Sequence, residues 1–573
     1  MPKVIIDGKE FEAQQGQTVI QVALENDIDV PHFCWHPALS VAGNCRMCLV
    51  DVEKIPKLSI ACQTAVTDGM VVHTQNEKSL KAREDVMEFL LINHPLDCPI
   101  CDEAGQCKLQ DYAFNHSRGV SRFDEVKTHK EKRVPFGPNV LFDGERCISC
   151  SRCIRFGEEI ADQPVLSFVQ RGDHVTIEPF PGTELDNPVS MNVIDICPVG
   201  ALTSRDFRFK ARPWDMSFTE TICPSCSRGC NIRAGVRDNQ ILRLEPRPNP
   251  NVNDFWMCDH GRLESYPPVN ADSRISGAWV RKNGALESVG ISNAIQSIVN
   301  ELKIYKADEI AFIASPFATV EDNFAFAQFA KHVTKNIGYF RSIIGEDEKL
   351  LIRADKTPNA FGLKLLGISE FGEDFTEALK TGKIKAVYAL EDDVLSRKSF
   401  AFDKVEFFAC HATNSSKTTD KANVILPASS WAEKEGVLIN FEGWAQKLRP
   451  VLATVTNARS IETMNQSRLD RFGSKFDRWA QHQKQDALDS WKLVQIASAQ
   501  MGHAHTFIDS QDVFDAAVHS VEGLKGLSYE LIGSIGQPVA GVKKEVKHAY
   551  YQEVFHIDTE DRFQVHQIEL VQQ

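Results

Sequence analysis

Three cysteines and a histidine lie close together in the stretch HPLDCPICDEAGQC, which runs from His94 to Cys107. The spacing is His-x3-Cys-x2-Cys-x5-Cys, with the other cysteines at Cys98 and Cys101. Thiolate and imidazole groups are ligands of tetrahedral ions and of iron–sulfur clusters, and either kind of site needs four of them. A histidine at a helix end can instead interact with the helix dipole. Because no unassigned fourth cysteine is nearby, we predict that His94 completes a [4Fe–4S] site.

An earlier group consists of Cys34, Cys45, Cys48 and Cys62, with the spacing C-x10-C-x2-C-x13-C. This is the layout of a plant-type ferredoxin, in which a loop presents thiolates to a [2Fe–2S] cluster. Zinc is the alternative, since C-x2-C also suits a tetrahedral zinc ion. Gly43, beside the run NCRMC, favours the cluster because the loop can then point backbone N–H groups at sulfide.

A third group consists of Cys147, Cys150, Cys153 and Cys197. Its first three members form C-x2-C-x2-C, and Cys197 begins a Cys-Pro pair. In bacterial ferredoxins the run C-x2-C-x2-C-x3-C-P serves two clusters. Here Gly157 occupies the position of the cysteine that would ligate the second cluster. We therefore predict one [4Fe–4S] cluster.

A fourth group consists of Cys223, Cys226, Cys230 and Cys258, with the spacing C-x2-C-x3-C-x27-C. The complete ligand set predicts another [4Fe–4S] cluster, and zinc stays open because nothing local excludes it. The last cysteine, Cys410, lies in the apolar run VEFFAC. That run predicts a buried strand and an inert core thiol.

The composition agrees with metal sites better than with disulfides. Of the 16 cysteines in 573 residues, only Cys410 follows Cys258, whereas a disulfide framework would not stop near the middle of a chain.

The N-terminus lacks the pattern of a signal peptide, so we expect a reducing compartment. No apolar run reaches membrane-spanning length. The net charge of -14 argues against a nucleic-acid-binding surface.

Local patterns predict the elements that position these residues. KVIIDGKEFEA predicts a hairpin that turns at Asp7-Gly8, and TVIQVALENDI predicts a helix that Thr18 could cap. SLKAREDVMEFLLINHP predicts a helix stopped by Pro95, with His94 as its last residue. EIAFIASP and IKAVYAL predict buried strands between helical stretches, as in an α/β domain.

The runs GERCISCSRCIRFGEE, CPVGALTSRDFRFKARPWDM and HPLDCPICDEAGQCKLQD closely resemble the large iron–sulfur subunit of respiratory NADH:quinone oxidoreductase, complex I. The resemblance covers at least residues 1–272. It implies one [2Fe–2S] and three [4Fe–4S] clusters on the four groups, with His94 as a ligand. It also implies that the fourth cluster lies aside from the main electron route.

Beyond residue 272, the segment KANVILPASSWAEKEGVLINFEGWAQ resembles molybdopterin oxidoreductases. In complex I this domain is usually a relic without cofactor, and two features favour a relic here. Related molybdenum enzymes carry Cys-x-Lys-Gly after the last cluster cysteine, whereas this chain has Cys258-Asp259-His260-Gly261. The region is also short for a complete pterin-binding domain. We therefore expect no molybdopterin, and the resemblance to complex I implies that FMN is bound by a neighbouring subunit and not by this chain.

The resemblance implies a multidomain α+β and α/β chain. The expected domains are a β-grasp plant-type ferredoxin domain (1–78), a His/Cys3 [4Fe–4S] domain (79–118), a bacterial-ferredoxin-like [4Fe–4S] domain (119–215), a fourth [4Fe–4S] domain (216–272), a vestigial molybdopterin oxidoreductase-like α/β domain (273–545) and a C-terminal tail (546–573).

The implied function is electron transfer from the FMN/NADH-site subunit toward quinone, with no complete active site on this chain. The absence of G-x-G-x-x-G and G-x4-G-K-[ST] motifs agrees with an NADH site elsewhere. The implied partners are the FMN/NADH-binding subunit, a small [2Fe–2S] subunit, a two-[4Fe–4S] subunit and the quinone-site subunits. The implied location is peripheral, on the cytoplasmic side of the inner (plasma) membrane. The alternative is an iron–sulfur subunit of an NAD-linked formate dehydrogenase or a hydrogenase complex.

Overall fold

The computed structural model describes residues 1–397, 402–456, 484–503 and 506–547. These residues form two compact units, the first ending at Met216 and the second running from Ser217 to Lys547. The expected tail lies outside the described residues from position 548 onward. No helix in the described part of the chain combines the length and apolar character needed to cross a membrane.

The first unit begins with a mixed five-stranded sheet and one helix. Asp7 and Gly8 both have positive φ (47° and 83°), which confirms the predicted tight turn between the first two strands. Thr18 is the N-cap of the first helix, as predicted, and its N–H donates to Gln21 Oε1 at 2.9 Å. The strands are β1 (Lys3–Ile6), β2 (Lys9–Glu12), β3 (Leu49–Val52), β4 (Ser59–Ile60) and β5 (Met70–His73), and the helix α1 (Val19–Glu25) packs against the sheet. Within the sheet their order is β2-β1-β5-β3-β4.

The next helix, α2 (Glu77–Ile92), is capped at its start by Asn76, whose side chain accepts from Ser79 N–H at 3.0 Å. Asn93 is its C-cap, so the prediction that His94 is the last helical residue is wrong by two positions. The physical reason is Pro95, which disfavours helical backbone at the residue before it. A 3₁₀ turn (Cys98–Ile100) and α3 (Lys108–His116) follow.

The rest of the first unit is built from short elements around long loops. One three-stranded sheet has the order β10-β7-β6, and a separate hairpin pairs β8 with β9. The elements are β6 (Val134–Pro135), β7 (Val140–Phe142), α4 (Arg152–Glu159), β8 (Leu166–Val169), β9 (Thr176–Pro179), α5 (Asn192–Asp195) and β10 (Leu202–Ser204).

The second unit opens with an antiparallel three-stranded sheet, followed by two short helices. Asp238 and Asn239 have positive φ (52° and 56°) and form the turn between its last two strands. The elements are β11 (Ser217–Ile222), β12 (Asn231–Arg237), β13 (Gln240–Pro246), α6 (Asp259–Glu264) and α7 (Pro267–Asn270).

The main sheet of the second unit has the order β15-β14-β21-β20-β19-β16-β17-β18 among the described strands. The strands β16 to β21 pair in parallel, and the hairpin β14–β15 is antiparallel. The predicted strands EIAFIASP and IKAVYAL are β16 and β19. The strands are β14 (Ala278–Lys282), β15 (Ala285–Val289), β16 (Ile310–Ile313), β17 (Ile337–Tyr339), β18 (Ser369–Glu370), β19 (Ala386–Ala389), β20 (Phe407–Ala412) and β21 (Val424–Pro427).

Both faces of this sheet are covered by apolar cores. Phe312 of β16 belongs to one core and its neighbours Ala311 and Ile313 to the other, because successive side chains of a strand point to opposite faces. The helices are α8 (Ile291–Leu302), α9 (Val320–Val333), α10 (Ala360–Leu365), α11 (Glu373–Thr381), α12 (Val394–Arg397), α13 (Lys417–Lys421), α14 (Ser490–Gln500), α15 (Ser510–Ser520) and α16 (Tyr529–Ile532). A small antiparallel sheet completes the unit, with β22 (Gly436–Ile439), β23 (Trp444–Leu448) and β24 (Gln537–Pro538).

Candidate iron–sulfur centres

The first cysteine group lies in the loops around β3 and β4, and its thiols form two pairs. Cys34 hydrogen-bonds with Cys45, and Cys48 hydrogen-bonds with Cys62. The bond to Cys45 lowers the pKa of the Cys34 thiol to about 5, and the same bond raises the pKa of Cys45. A [2Fe–2S] cluster has two irons and four cysteine ligands, so this two-plus-two arrangement fits it.

The loop that carries Cys45 also directs N–H groups at the first sulfur. The backbone N–H groups of Cys45 and Asn44 donate to Cys34 and lower its pKa further. Gly43 has φ 61°, and a Cβ there would lie 3.0 Å from Ile60 Cδ1. The positive φ is the conformation that glycine adopts without strain. These features suit a cluster-binding loop, and ligation of a [2Fe–2S] cluster by this group stays a prediction.

The third group is gathered around one cavity. Cys147, Cys150, Cys153 and Cys197 all line it, together with Phe142, Ile177, Val199, Ala201, Leu202 and other neighbouring residues. Ser149 and Ser151 have positive φ (55° and 63°), so the backbone reverses twice between the three clustered cysteines. Burial raises the pKa of Cys147 to about 11 and raises that of Cys197 as well. A largely apolar pocket lined by four thiols suits a cluster.

The second group is the most exposed of the four. Cys101 and Cys107 are buried, His94 is half-buried, and Cys98 is exposed at the start of the 3₁₀ turn. Burial, followed by the charges of Lys127 and Arg146, lowers the pKa of His94 to about 4. The imidazole is therefore neutral near pH 7, and the neutral form is the one that ligates a metal. Ligation by His94 stays a prediction.

The loop that carries Cys197 also contacts the second group. A Cβ built on Gly200 would overlap Cys101 Sγ, so the backbone at position 200 lies directly against that sulfur. Lys108 N–H donates to Pro198 O at 3.2 Å, which joins the start of α3 to the same loop. No sequence pattern indicated this contact of Gly200, although the run CPVGAL contains the residue.

Two buried arginines of α4 join the third group to the first. Arg155 Nη2 donates to Cys34 O at 2.5 Å and to Cys150 O at 3.4 Å. Arg152 Nη1 donates to Ile196 O at 3.0 Å, and its Nη2 donates to Trp35 O. The third group therefore adjoins both other groups of the first unit. The first and second segments also meet, because His32 N–H donates to Tyr112 OH at 3.4 Å.

A charged contact links the start of the third group to the loop between His94 and Cys98. Arg146 precedes Cys147, and its Nε and Nη2 donate to Asp97 Oδ2 at 3.0 and 2.9 Å. Lys132 Nζ lies 2.5 Å from the same carboxylate oxygen. Hydrogen bonds and the charges of both cations lower the pKa of Asp97 against the opposing effect of burial. The segment that precedes Cys98 is thus fixed by ion pairs.

The fourth group lies in the second unit. Cys223, Cys226 and Cys230 are in the loop between β11 and β12, and Cys258 is the N-cap of α6. A Cβ at Gly261 would lie 3.0 Å from Cys223 Sγ and 3.2 Å from Cys258 Sγ, so the backbone of Gly261 lies close to both sulfurs. Burial raises the pKa of Cys223 to about 12 and that of Cys258 to about 11.

The molybdopterin-like segment packs against the fourth group. Gln446 Nε2 donates to Gly229 O at 2.9 Å, and Asn440 Nδ2 donates to Arg228 O at 3.1 Å. His260, in the position of the lysine of molybdenum enzymes, is exposed. Cys410 is fully buried on β20, where burial raises its pKa to about 12. Among the described side chains, no three His, Cys, Asp or Glu residues are arranged to hold a single metal ion.

The crevice where a doubly wound sheet usually binds its ligand is filled by charged side chains. It lies between the carboxyl ends of β16 and β19, since the chain leaves β16 toward β17 and returns on the other side at β19. Lys434 Nζ lies 2.9 Å from Asp322 Oδ2 and 2.5 Å from Glu391 Oε2 at this point. All three side chains are buried, and the ammonium group of Lys434 is therefore paired with the two carboxylates.

A separate cavity of about 460 Å³ lies beside the fourth group and includes Ser227 in its wall. Its charged lining residues are Arg341, Asp355, Lys364 and Glu370. Arg341 Nη2 lies 3.5 Å from Asp355 Oδ2. A molybdopterin cofactor carries phosphate, and neither this balanced lining nor the filled crevice offers it an excess of positive charge.

Family models match five parts of the chain. They describe a 2Fe-2S iron–sulfur cluster binding domain (3–77), an NADH-ubiquinone oxidoreductase-G iron–sulfur binding region (83–122), an NADH-quinone oxidoreductase subunit 3 ferredoxin-like domain (137–203), a molybdopterin oxidoreductase Fe4S4 domain (216–264) and a molybdopterin oxidoreductase (366–464). The multidomain fold class predicted from the sequence is confirmed, and so is the presence of both [2Fe–2S] and [4Fe–4S] binding regions.

Similar proteins carry the name that the resemblance implied. An NADH-quinone oxidoreductase subunit of Rickettsia conorii is 42% identical over 337 residues, which are 59% of this chain and 50% of that protein. The NADH-ubiquinone oxidoreductase 75 kDa subunit of Reclinomonas americana is 39% identical over 61% of this chain and 51% of its own length. The resemblance to the large iron–sulfur subunit is confirmed, and the chain spans about half the length of these relatives.

A solved chain of an NAD+-reducing [NiFe]-hydrogenase is 26% identical, and the match covers 37% of this chain and 91% of that one. Its TM-score is 0.34, which is too low to support a statement about fold.

Proposed function

We propose that this chain is an electron-transfer subunit of a proton-translocating NADH:quinone oxidoreductase. It would accept electrons from an FMN/NADH-binding subunit and pass them toward the quinone-site subunits. A small [2Fe–2S] subunit and a two-[4Fe–4S] subunit would be further partners. The chain would lie at the cytoplasmic side of the inner membrane as a peripheral part of that complex, and it would not itself carry a complete active site.

The proposed cofactors are one [2Fe–2S] and three [4Fe–4S] clusters. The ligands would be Cys34, Cys45, Cys48 and Cys62 for the first; His94, Cys98, Cys101 and Cys107 for the second; Cys147, Cys150, Cys153 and Cys197 for the third; and Cys223, Cys226, Cys230 and Cys258 for the fourth. The proposed domains are 1–78, 79–118, 119–215, 216–272 and 273–545, followed by the tail.

The observation that carries this proposal is the contiguity of three ligand sets in the first unit. Arg155 connects the backbone of Cys34 with that of Cys150, and Gly200 brings the Cys197 loop against Cys101. The third group therefore adjoins both the first and the second, although it comes last of the three along the chain. Such close spacing suits transfer of single electrons between sites.

The clusters, when bound, supply the electron-accepting chemistry, and the chain supplies their environment. Eleven of the fifteen proposed ligand cysteines are buried, and N–H groups directed at Cys34 stabilise its thiolate. The imidazole of His94 would replace one thiolate and make the second site less negative. No general acid, base or nucleophile is needed for this function.

We also propose that the second unit binds no molybdopterin. The ion pairs of Lys434 fill the crevice at the sheet's switch point, and His260 cannot provide the bridging amine of a lysine. Molybdenum or tungsten at about one atom per chain in the purified protein would contradict this part of the proposal.

The test is metal, sulfide and EPR analysis of the anaerobically purified or reconstituted full chain. Four clusters of the proposed types correspond to about 14 irons per chain. Membranes from cells that lack the chain should also lose NADH-dependent quinone reduction, and the chain should restore it. Stoichiometric zinc in place of iron, or membranes with undiminished quinone reduction, would contradict the proposal.

A further inference from the structure

A single guanidinium group contacts ligand residues of two different sites. Arg155 lies on α4, two residues after Cys153, and only 7% of its surface is exposed. Its Nη2 donates to the carbonyl oxygens of both Cys34 and Cys150. These two cysteines belong to the first and third groups, which the chain separates by more than a hundred residues.

The remaining contacts of Arg155 fix its position. Nε donates to Ser151 Oγ at 3.1 Å, and Nη1 donates to Ser40 O. Ser40 is held in turn by Glu159, one helical turn beyond Arg155, because its N–H donates to Glu159 Oε2 at 2.8 Å. In the described structure, the hydrogen bonds of Arg155 go to carbonyl and hydroxyl oxygens and none goes to a carboxylate. None of these contacts is a direct ion pair, although the charge of Glu159 also acts on the guanidinium from one helical turn away.

We propose that Arg155 is a shared positioning residue that raises the midpoint potentials of both the first and the third cluster. This inference rests on the proposed function, because it requires clusters at both sites. Each site accepts one electron on reduction and becomes more negative by one charge. A buried cation beside both sites stabilises each reduced state, since charge interactions are strong where water is excluded.

The shape of the side chain explains why arginine suits this place. A guanidinium has five N–H donors in a planar fork, so it can reach several carbonyl groups at once while staying charged. A lysine would keep the charge but would lose most of the hydrogen bonds to Ser40, Cys34 and Cys150. The two substitutions therefore separate the effect of charge from the effect of hydrogen bonding.

Arg212 offers a matched control in the same unit. Its Nη1 donates to Cys101 O at 2.6 Å and its Nη2 donates to Pro99 O, so it makes the same kind of contact with the second group alone. Removing its charge should affect the second cluster and leave the first and third unchanged.

The experiment is an EPR-monitored redox titration of the anaerobically purified full chain with its clusters, as wild type, Arg155→Gln, Arg155→Lys and Arg212→Gln. We expect Arg155→Gln to lower the midpoint potentials of the first and third clusters together. Arg155→Lys should keep both potentials closer to wild type. Arg212→Gln should lower only that of the second.

Three results would overturn the inference. The first is an Arg155→Gln protein with normal spectra and unchanged midpoint potentials. The second is a shift in the potential of only one of the two clusters. The third is a shift in the potential of the second cluster that is as large as those of the first and third. If Arg155→Gln fails to hold its clusters, Arg155→Lys decides: its lost hydrogen bonds should lower both potentials by a smaller amount, and a shift in only one cluster or in neither contradicts a shared role. The iron and sulfide content of the wild type tests the proposed function separately. If the wild type holds all its clusters but the Arg155 variants have unchanged potentials, only the role of Arg155 is rejected.

Discussion

The backbone of Gly200 lies directly against the sulfur of Cys101, since a Cβ at position 200 would overlap Cys101 Sγ. Gly200 belongs to the loop of the third group, whereas Cys101 belongs to the second. The contact therefore makes one loop part of two proposed sites. A glycine is favoured at this position because a side chain would not fit. Its backbone conformation does not require glycine, since Gly200 is not among the residues with positive φ.

Gly200→Ala should displace the sulfur of Cys101 and weaken the second cluster. The methyl group cannot be accommodated without a shift, and overpacking of this kind typically costs about 1–3 kcal/mol of stability. We expect loss or strong alteration of the second cluster's EPR signal, while the [2Fe–2S] signal persists.

The control for this variant is Gly372→Ala, because Gly372 has nothing within 4 Å of its built Cβ and has no positive φ. The Gly372→Ala protein should retain all cluster signals. A Gly200→Ala protein with an unaltered second-cluster spectrum would show that Cys101 does not ligate a cluster in the arrangement proposed here.

His94 should tune the second cluster. His94→Cys should leave a [4Fe–4S] cluster in place but lower its midpoint potential, because a thiolate adds a negative charge that a neutral imidazole lacks. His94→Ala should make the cluster labile, since one iron would be open to water or added thiol. The measurement is an EPR titration together with the rate of iron loss to a chelator.

His174→Ala is the matched control for these variants, because the side chain of His174 is 64% exposed and lies outside the four groups. Its cluster potentials and iron loss should equal those of the wild type. If His94→Ala behaved like His174→Ala, the fourth ligand of the second cluster would have to be another residue.

Local chemistry explains which parts of the structure could be predicted from the sequence. The Asp7-Gly8 turn and the strand β16 depend on neighbouring residues, and both are found where their patterns indicated. The helix before Pro95 was predicted, but its end was placed two residues too late. The bridge from Arg155 to Cys34 spans residues far apart in the chain. No local pattern encodes such a contact, because it arises only when the loops of two cysteine groups pack together.

Lys434 should be essential for the stability of the second unit. Its Nζ pairs with Asp322 and Glu391 in a buried position, so Lys434→Met would leave two buried carboxylates without their cation. Breaking a buried pair from one side typically costs about 3–5 kcal/mol. Chemical denaturation followed by tryptophan fluorescence should detect this loss, because Trp444 and Trp491 are buried in the same unit.

Lys282→Met is the matched control for Lys434→Met. Lys282 lies 3.2 Å from Glu287 in a pair whose side chains are both more than half exposed. Exposed ion pairs contribute at most about 1 kcal/mol, so this variant should unfold almost as the wild type does. Equal unfolding of the two variants would mean that the Lys434 cluster does not stabilise the unit.

Glu321 should make the second unit less stable as the pH rises toward 8. Burial raises the pKa of its carboxyl to about 8, although Val437 N–H (2.9 Å) and Tyr529 OH (2.8 Å) both donate to it. The unfolded carboxyl has a pKa near its ordinary value of about 4.3. Between these two values the folded state holds a proton that the unfolded state has released, so the free energy of unfolding falls as pH increases through this window. Above about pH 8 this contribution becomes constant.

Glu321→Gln keeps a similar shape without titrating, so its unfolding free energy should decline less than that of the wild type between about pH 5 and 8. The measurement is denaturant unfolding of both proteins at several pH values. Because Glu391 and Asp489 also have raised pKa values through burial, the informative quantity is the difference between the two proteins. Parallel pH profiles would mean that Glu321 is ionised in the folded state, and its hydrogen bonds from Val437 and Tyr529 would then outweigh the effect of burial.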